Sequence, residues 1–194
     1  VIGLGRIADH FIGGGQASST SKITGLVSGH RDKAEKFAAR LGVPKSSIYS
    51  YEDMDRMRDN KSIDAVYVAL PNSMHAEYTI RSAKAGKHVF CEKPMSTSVS
   101  DAEDMIAACK TANVKLMIAY RLQYEPTNLR AIELIRQGAL GKVQVIEGAN
   151  GFYETAGEWR LNKPMSGGGP MLDVGIYCLN ATRYLTGEEP ESFT

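Results

Sequence analysis

Three clusters in this chain hold residues whose types and spacing could do chemistry. The first is Cys91-Glu92-Lys93-Pro94, directly after the apolar run His88-Val89-Phe90. Proline has no N–H to donate and ends a sheet ladder, so Lys93 falls where a strand leaves its sheet. Ligands of open parallel α/β sheets bind beyond the carboxyl ends of the strands, which would bring the Lys93 ammonium to a ligand. Alone, the tetrapeptide also reads as an ordinary turn. The second cluster is Gly3-Leu4-Gly5-Arg6-Ile7-Ala8, a G-x-G-x-x-A pattern. Gly3 permits a tight turn, Gly5 lets the backbone approach a pyrophosphate, and Ala8 admits close packing of a helix whose first N–H groups face the phosphates. Arg6 and Ile7 lie within the same turn. The third cluster is Gly167-Gly168-Gly169-Pro170, followed by Asp173 and Tyr177. On a helix, i and i+4 share one face, so a carboxylate and a phenol would stand side by side. The same residues also describe a helix with one buried tyrosine and an N-terminal Asp favourable to its dipole.

The end of the second strand speaks to cofactor choice. NAD enzymes of this type carry an Asp or Glu about 20 residues after the glycines to bind the ribose hydroxyls. Here the run is Ser28-Gly29-His30-Arg31-Asp32-Lys33, with no carboxylate at the strand tip. A hydroxyl and basic groups suit a 2′-phosphate, so Ser28, Arg31 and Lys33 point to NADP in preference to NAD. An ordinary solvated helix start is the alternative. Leu70-Pro71-Asn72, at the next strand end, is placed to shape a nicotinamide pocket through its backbone. His75, at the following helix start, reads as a structural residue or a secondary cofactor contact. Arg121 and Arg160 are either contacts to cofactor or substrate or partners in structural ion pairs.

These residues need a scaffold. Short apolar runs alternate with helical patterns through the first half, which argues for βαβ units and a parallel sheet. Val1 and Ile2 are a strand stub, and Ile23–Val27, Asp64–Leu70, His88–Phe90 and Lys115–Ala119 are further strands. Helices are expected over 32–41, 73–85 and, behind a capping box Ser100-x-x-Glu103, to about Thr111. A polar helix is expected near 53–58, and Gly13-Gly14-Gly15 as a flexible loop. Beyond Tyr120 the pattern changes to an amphipathic helix over 127–137, a strand over 143–147 and a final helix over 170–185. The expected domains are a dinucleotide-binding Rossmann domain over 1–119, its first strand incomplete, and a partial α+β open-sheet domain over 120–194.

The bulk numbers narrow the classes. With 194 residues, 43% hydrophobic and 23% charged, the composition is that of an ordinary globular protein. A net charge of +1 gives no case for nucleic acid or a membrane surface. No apolar stretch nears the roughly 20 residues of a spanning helix. Cys91, Cys109 and Cys178 are odd in number and widely spaced, and read as free thiols rather than a disulfide framework or metal site. The chain begins inside a strand and ends abruptly at Phe193-Thr194, so it reads as a fragment of a longer protein.

Taken together, Gly3-x-Gly5-x-x-Ala8, Glu92-Lys93-Pro94 and Gly167-Gly168-Gly169 with Asp173-x-Gly175-x-x-Tyr177 resemble the glucose–fructose oxidoreductase/inositol dehydrogenase (Gfo/Idh/MocA) family. The resemblance runs the length of the chain, including Tyr120-Arg121 with Pro126. Trp159-Arg160 and the run from Gly175 to Leu185 look most like the glucose–fructose oxidoreductase branch, as do Ser28 and Lys33 as NADP-phosphate contacts. It implies an oxidoreductase passing hydride between the nicotinamide of NADP and a sugar or related polyhydroxy or carbonyl compound. Lys93, Tyr177 and Asp173 would be catalytic. Substrate would meet Lys93, Arg160, Asp173 and Tyr177, and the cofactor would meet Gly3, Gly5, Arg6, Ile7, Ala8, Ser28, Arg31, Lys33, Leu70, Pro71, Asn72, His75, Glu92, Lys93 and Arg121. Tyr177 departs from the Asp-x-x-x-His of the broader family, which argues against inositol-dehydrogenase activity. An unperturbed phenol titrates near pH ~10, so it needs a neighbouring cation to act as a base, and Lys93 is the candidate. The rivals are a non-catalytic NADP-binding sensor or scaffold and a trans-dihydrodiol dehydrogenase-like enzyme. Further expectations are a homo-oligomer and a cytoplasmic compartment, with the periplasm as the alternative.

Overall fold

The computed structural model describes residues 1–192. Phe193 and Thr194, the end of the expected second domain, lie outside the described residues. The chain divides into two compact units, Val1–Ile118 and Ala119–Thr194.

The first unit is built on parallel strands β1 (Leu26–Val27), β2 (Ile48–Tyr49), β3 (Ala65–Val68), β4 (His88–Cys91) and β5 (Leu116–Ile118). Ile2 forms parallel bridges to both Val27 and Val68, joining the β1–β2 pair to β3–β4–β5. Across the sheet the order is therefore β2, β1, the Ile2 stub, β3, β4, β5. This is the doubly wound arrangement, and its direction of winding reverses between the stub and β3. Ile2, Leu26, Val68 and Cys91 have no exposed surface. Such burial on both faces is what the continuous apolar runs imply. Flanking helices are α1 (Arg6–Gln16), α2 (Arg31–Leu41), α3 (His75–Lys84) and α4 (Val99–Thr111). Helix α2 stops at Gly42, which takes the left-handed conformation (φ 68°) that glycine adopts without steric cost.

Three local expectations need correction. Gly13-Gly14-Gly15 is the last turn of α1 rather than a loop, carried there by a helix that buries Ala8 and Ile12. The cap of α4 is Ser98, whose hydroxyl accepts from the Asp101 N–H, two residues ahead of the expected Ser100 box. The polar segment after Tyr51 is a 3₁₀ turn over Met54–Asp59 that buries Met54 and Met57.

In the second unit, α5 (Pro126–Arg136) opens with Glu125, whose carboxylate accepts from the N–H groups of Thr127 and Asn128. It packs on α7 (Ile176–Thr186). The short α6 (Lys163–Ser166) lies between them in sequence. The strand expected over 143–147 does not form: the segment is irregular, and Val145 is 75% exposed. Its alternation is a strand pattern, but a strand needs a partner for its ladder, and no strand exists among the described residues of this unit. The final helix is also not continuous. Met171–Gly175 is a π-helical turn, and regular α-helix begins at Ile176.

Candidate active site

In the first unit the reversal of the sheet brings the candidate cofactor residues to one edge. The chain leaves the stub through Gly3 (φ 85°), whose N–H donates to Val27 O at 3.0 Å. A Cβ here would strike the Ala69 carbonyl and lie 2.8 Å from Leu70 Cδ2. The turn therefore requires glycine for both space and backbone angle. Gly5 is the N-cap of α1, and no side chain caps that end. A Cβ on Gly5 would meet nothing within 4 Å, so open space lies over the first N–H groups, as a pyrophosphate requires. Arg6 is exposed at the first turn, Ile7 is half-buried, and Ala8 is buried against Tyr67 and Ala69. These residues fit a dinucleotide.

At the tip of β1, Ser28 is buried and its hydroxyl accepts from the His30 N–H at 3.1 Å. Arg31 donates to Glu35 at 3.0 Å and to the Ile48 carbonyl at 3.3 Å. An exposed i,i+4 pair of this kind is worth only about 0.3–0.5 kcal/mol, so it does not hold Arg31 away from a phosphate. Lys33 is exposed in the first turn of α2.

The strand ends after β3 and β4 are tied together around the Lys93 turn. Glu92, 8% exposed, accepts from the Tyr67 hydroxyl through Oε1 and from the Lys93 backbone N–H through Oε2 at 3.1 Å. Tyr67 stacks on Phe11 of α1, ring centroids 3.8 Å apart. Glu92, an expected cofactor contact, braces the turn with its carboxylate. Tyr67 and Phe11 were missed, because an aromatic residue in an apolar run reads as core. The Lys93–Pro94 peptide is cis.

His75 has no exposed surface. Its Nδ1 lies 2.7 Å from the Pro94 carbonyl and its Nε2 2.9 Å from the Leu70 carbonyl. Both ring nitrogens face backbone carbonyls, so His75 fixes the two strand ends to each other, the structural role its position suggested. Asn72 is likewise buried, and Pro71 half-buried. Burial holds the His75 imidazole below its ordinary pKa of 6.5, against weaker pulls upward from the two carbonyls and Glu92 and a further lowering from Lys93. The unfolded chain then binds a proton that the folded one resists, so stability falls as pH drops through about 6.5. The melting temperature is expected to decline on that acidification, and His75→Gln to start lower but respond less to pH. Equal slopes for the two proteins would show that another group is responsible. The Cys91 thiol beside this network is pushed up to about 12 by burial and is core.

A cavity of about 680 Å³ opens at the other end of the strands, among Ile23, Ile63, Ala65 and Tyr67. Its wall shares Phe11 and Tyr67 with the brace, and none of the glycine-turn, Ser28–Lys33 or Lys93 residues lines it.

In the second unit Arg121 is exposed on a 3₁₀ turn (Arg121–Tyr124). Asp173 sits in the π turn, 9% exposed, and its Oδ2 is 3.1 Å from Arg160 Nε, a close ion pair without hydrogen-bond alignment. Arg160 Nη1 donates to Glu154 Oε2 at 3.4 Å, and its guanidinium lies 4.7 Å from the Trp159 ring centroid. Tyr177 is in the first turn of α7, half-buried. Because residues 171–175 form a wider turn, Asp173 and Tyr177 do not have the plain α-helical i,i+4 relation the spacing suggested. Glu154 was missed: it lies in a polar loop whose folding back no periodicity reveals.

Comparison with known proteins agrees with this architecture. Residues 1–120 match the model of an oxidoreductase family with an NAD-binding Rossmann fold (Gfo/Idh/MocA), and residues 128–194 match the Gfo/Idh/MocA C-terminal domain. The D-xylose 1-dehydrogenase [NADP(+)] of Haloarcula marismortui is 35% identical over 179 residues, 90% of this chain and 49% of that protein. The crystal structure of aldose-aldose oxidoreductase from Caulobacter crescentus, complexed with glycerol, superposes with TM-score 0.90 at 46% identity, covering 97% of this chain and 57% of that one. A levoglucosan dehydrogenase in complex with NADH and levoglucosan gives TM-score 0.80 at 26% identity, with coverages of 96% and 53%. The chain thus spans about half the length of these relatives. With the glycine turn at the sheet's reversal, the braced lysine turn and both family models in register, the chain belongs to the Gfo/Idh/MocA oxidoreductase family.

Proposed function

We propose that the protein is an NADP-dependent oxidoreductase acting on a hydroxyl-bearing carbon of a sugar. Residues 1–119 would hold the dinucleotide and residues 120–194 would begin the substrate domain. The observation that carries this reading is the alignment of three strand ends, Gly3–Gly5, Leu70–Asn72 and Glu92–Pro94, along one edge of the sheet at its reversal. Gly5 and the α1 N-terminus would receive the pyrophosphate, with Arg6, Ile7 and Ala8 beside it. Ser28, Arg31 and Lys33 would receive the 2′-phosphate, and Leu70, Pro71 and Asn72 would border the nicotinamide. Arg121 would add a cofactor contact. When bound, NADP supplies the acceptor and donor of hydride at its nicotinamide C4. Tyr177 would take the proton from the substrate hydroxyl during oxidation, and Lys93 would stabilise the alkoxide forming there. Asp173 and Arg160 would hold neighbouring hydroxyls. The names of the xylose and levoglucosan dehydrogenases and of the aldose-aldose oxidoreductase support a sugar as substrate.

The cofactor assignment is tested by fluorescence titration of the full-length protein with NADPH and NADH. NADPH is expected to bind at least about tenfold more tightly, as one charge-assisted phosphate contact at this tip would supply. Lys33→Glu should remove most of that preference. Equal affinities in the unmodified protein would overturn the reading of Ser28 to Lys33.

A further inference from the structure

The second unit contains a cavity of about 860 Å³ whose wall includes Glu154, Arg160, Lys163 and Asp173. The charges in this wall are arranged against one another. Arg160 is three-quarters covered, and its Nη1 and Nε face Glu154 Oε2 at 3.4 Å and Asp173 Oδ2 at 3.1 Å. Trp159 covers a face of the guanidinium. The side chains of Glu154 and Asp173 are 14% and 13% exposed, so both carboxylates belong to the wall rather than the surface. A free guanidinium is the best side chain for gripping a carboxylate or phosphate, because its fork makes two parallel bonds. Here the guanidinium already faces two carboxylates of the chain itself. Lys163 adds a positive charge, but from an exposed position where water and salt screen it. An entering anion would therefore meet two carboxylates and an arginine whose charge they already balance. An uncharged polyol meets no such penalty. Its hydroxyls donate to the carboxylate oxygens and accept from guanidinium N–H groups in the same contact.

We infer that Glu154 is a specificity-determining residue: by engaging Arg160 it makes this cavity a site for uncharged polyhydroxylated sugars and bars hexuronates and sugar phosphates. The inference rests on the proposed sugar oxidoreductase activity and adds the charge class of the substrate. Asp173 balances most of the guanidinium charge, and Glu154 supplies the excess negative charge that an anionic sugar would feel.

The test compares glucose with glucuronate, which share the reacting C1 and differ only at C6. Turnover and calorimetric binding are measured on the NADP-loaded full-length protein. Unmodified protein should favour glucose. Glu154→Gln, which keeps shape and removes the charge, should shift the glucuronate-to-glucose ratio of kcat/KM by roughly fivefold or more toward the acid, the scale of one partly buried charge pair. Glu154→Asp should retain discrimination, which separates charge from general damage to the loop. An unchanged ratio in Glu154→Gln, with glucose still oxidised, would overturn the inference and leave the sugar reading standing. Equal handling of both sugars by unmodified protein would overturn it as well. If neither sugar is oxidised, the activity reading fails, and calorimetry still decides the charge question: glucuronate binding gained by Glu154→Gln supports the role of Glu154, and no binding of either sugar overturns it.

Discussion

Lys93→Met is expected to lower kcat by about 10²–10³-fold, the usual cost of removing one preorganised group that stabilises a developing oxyanion. NADP affinity should change by no more than a few-fold. The separation follows from how the turn is held. Lys93 is attached through its backbone N–H, which donates to Glu92 Oε2 at 3.1 Å, and Glu92 is in turn held by the Tyr67 hydroxyl. On the other side, His75 faces the Pro94 carbonyl at 2.7 Å. None of these contacts uses the lysine side chain. A methionine of similar length can therefore occupy the same path while the strand end stays in place, and the glycine turn at Gly3–Gly5 is not involved. Steady-state kinetics with NADP titration on the same preparation is the measurement. Turnover within threefold of the unmodified enzyme would remove Lys93 from the chemistry.

Tyr177→Phe should be equally severe, about 10²–10⁴-fold in kcat, the range for losing a positioned proton-transfer group. Phenylalanine keeps the ring in the first turn of α7, so KM for the sugar should move little. With the proton transfer impaired, the chemical step becomes slower than product release. A substrate carrying deuterium at the oxidised carbon should then show a larger primary isotope effect in the variant than in the parent. Normal turnover with an unchanged isotope effect would transfer the proton-handling role elsewhere. A scaffold or sensor protein would be insensitive to both substitutions.

Much of the first unit was legible because its signals are local and agree with one another. The glycine turn, the apolar runs and Gly42 each have one physical explanation, and each lies where it was expected. Short-range chemistry also misled. Ser98 and Ser100 are both plausible caps for α4, and only the chain's entry path decides between them. Glycines at 13–15 disfavour a helix, but the apolar face of α1, anchored by Ala8 and Ile12, carries it through them. Long-range partners were the hardest to foresee. The spacing of Tyr67, Glu92 and His75 does not announce that they brace one turn. The pairing of Glu154 with Arg160 depends on a loop returning on itself, and Val143–Glu147 showed that alternation without a neighbouring strand does not make a sheet.

The π turn at Met171–Gly175 carries a consequence for insertions and deletions in this segment. A π turn accommodates one residue more than the α-helix around it would. Removing one residue between Asp173 and Tyr177 would let regular α-helix run through and leave the phenol three positions after the carboxylate instead of four, changing its azimuth relative to Asp173. Tyr177 would then leave the azimuth it now holds, although every side chain of the constellation remained in the sequence. The extra residue acts as a phase shifter between acid and phenol, so the length of 171–175 is constrained as tightly as the identities of the residues it aligns.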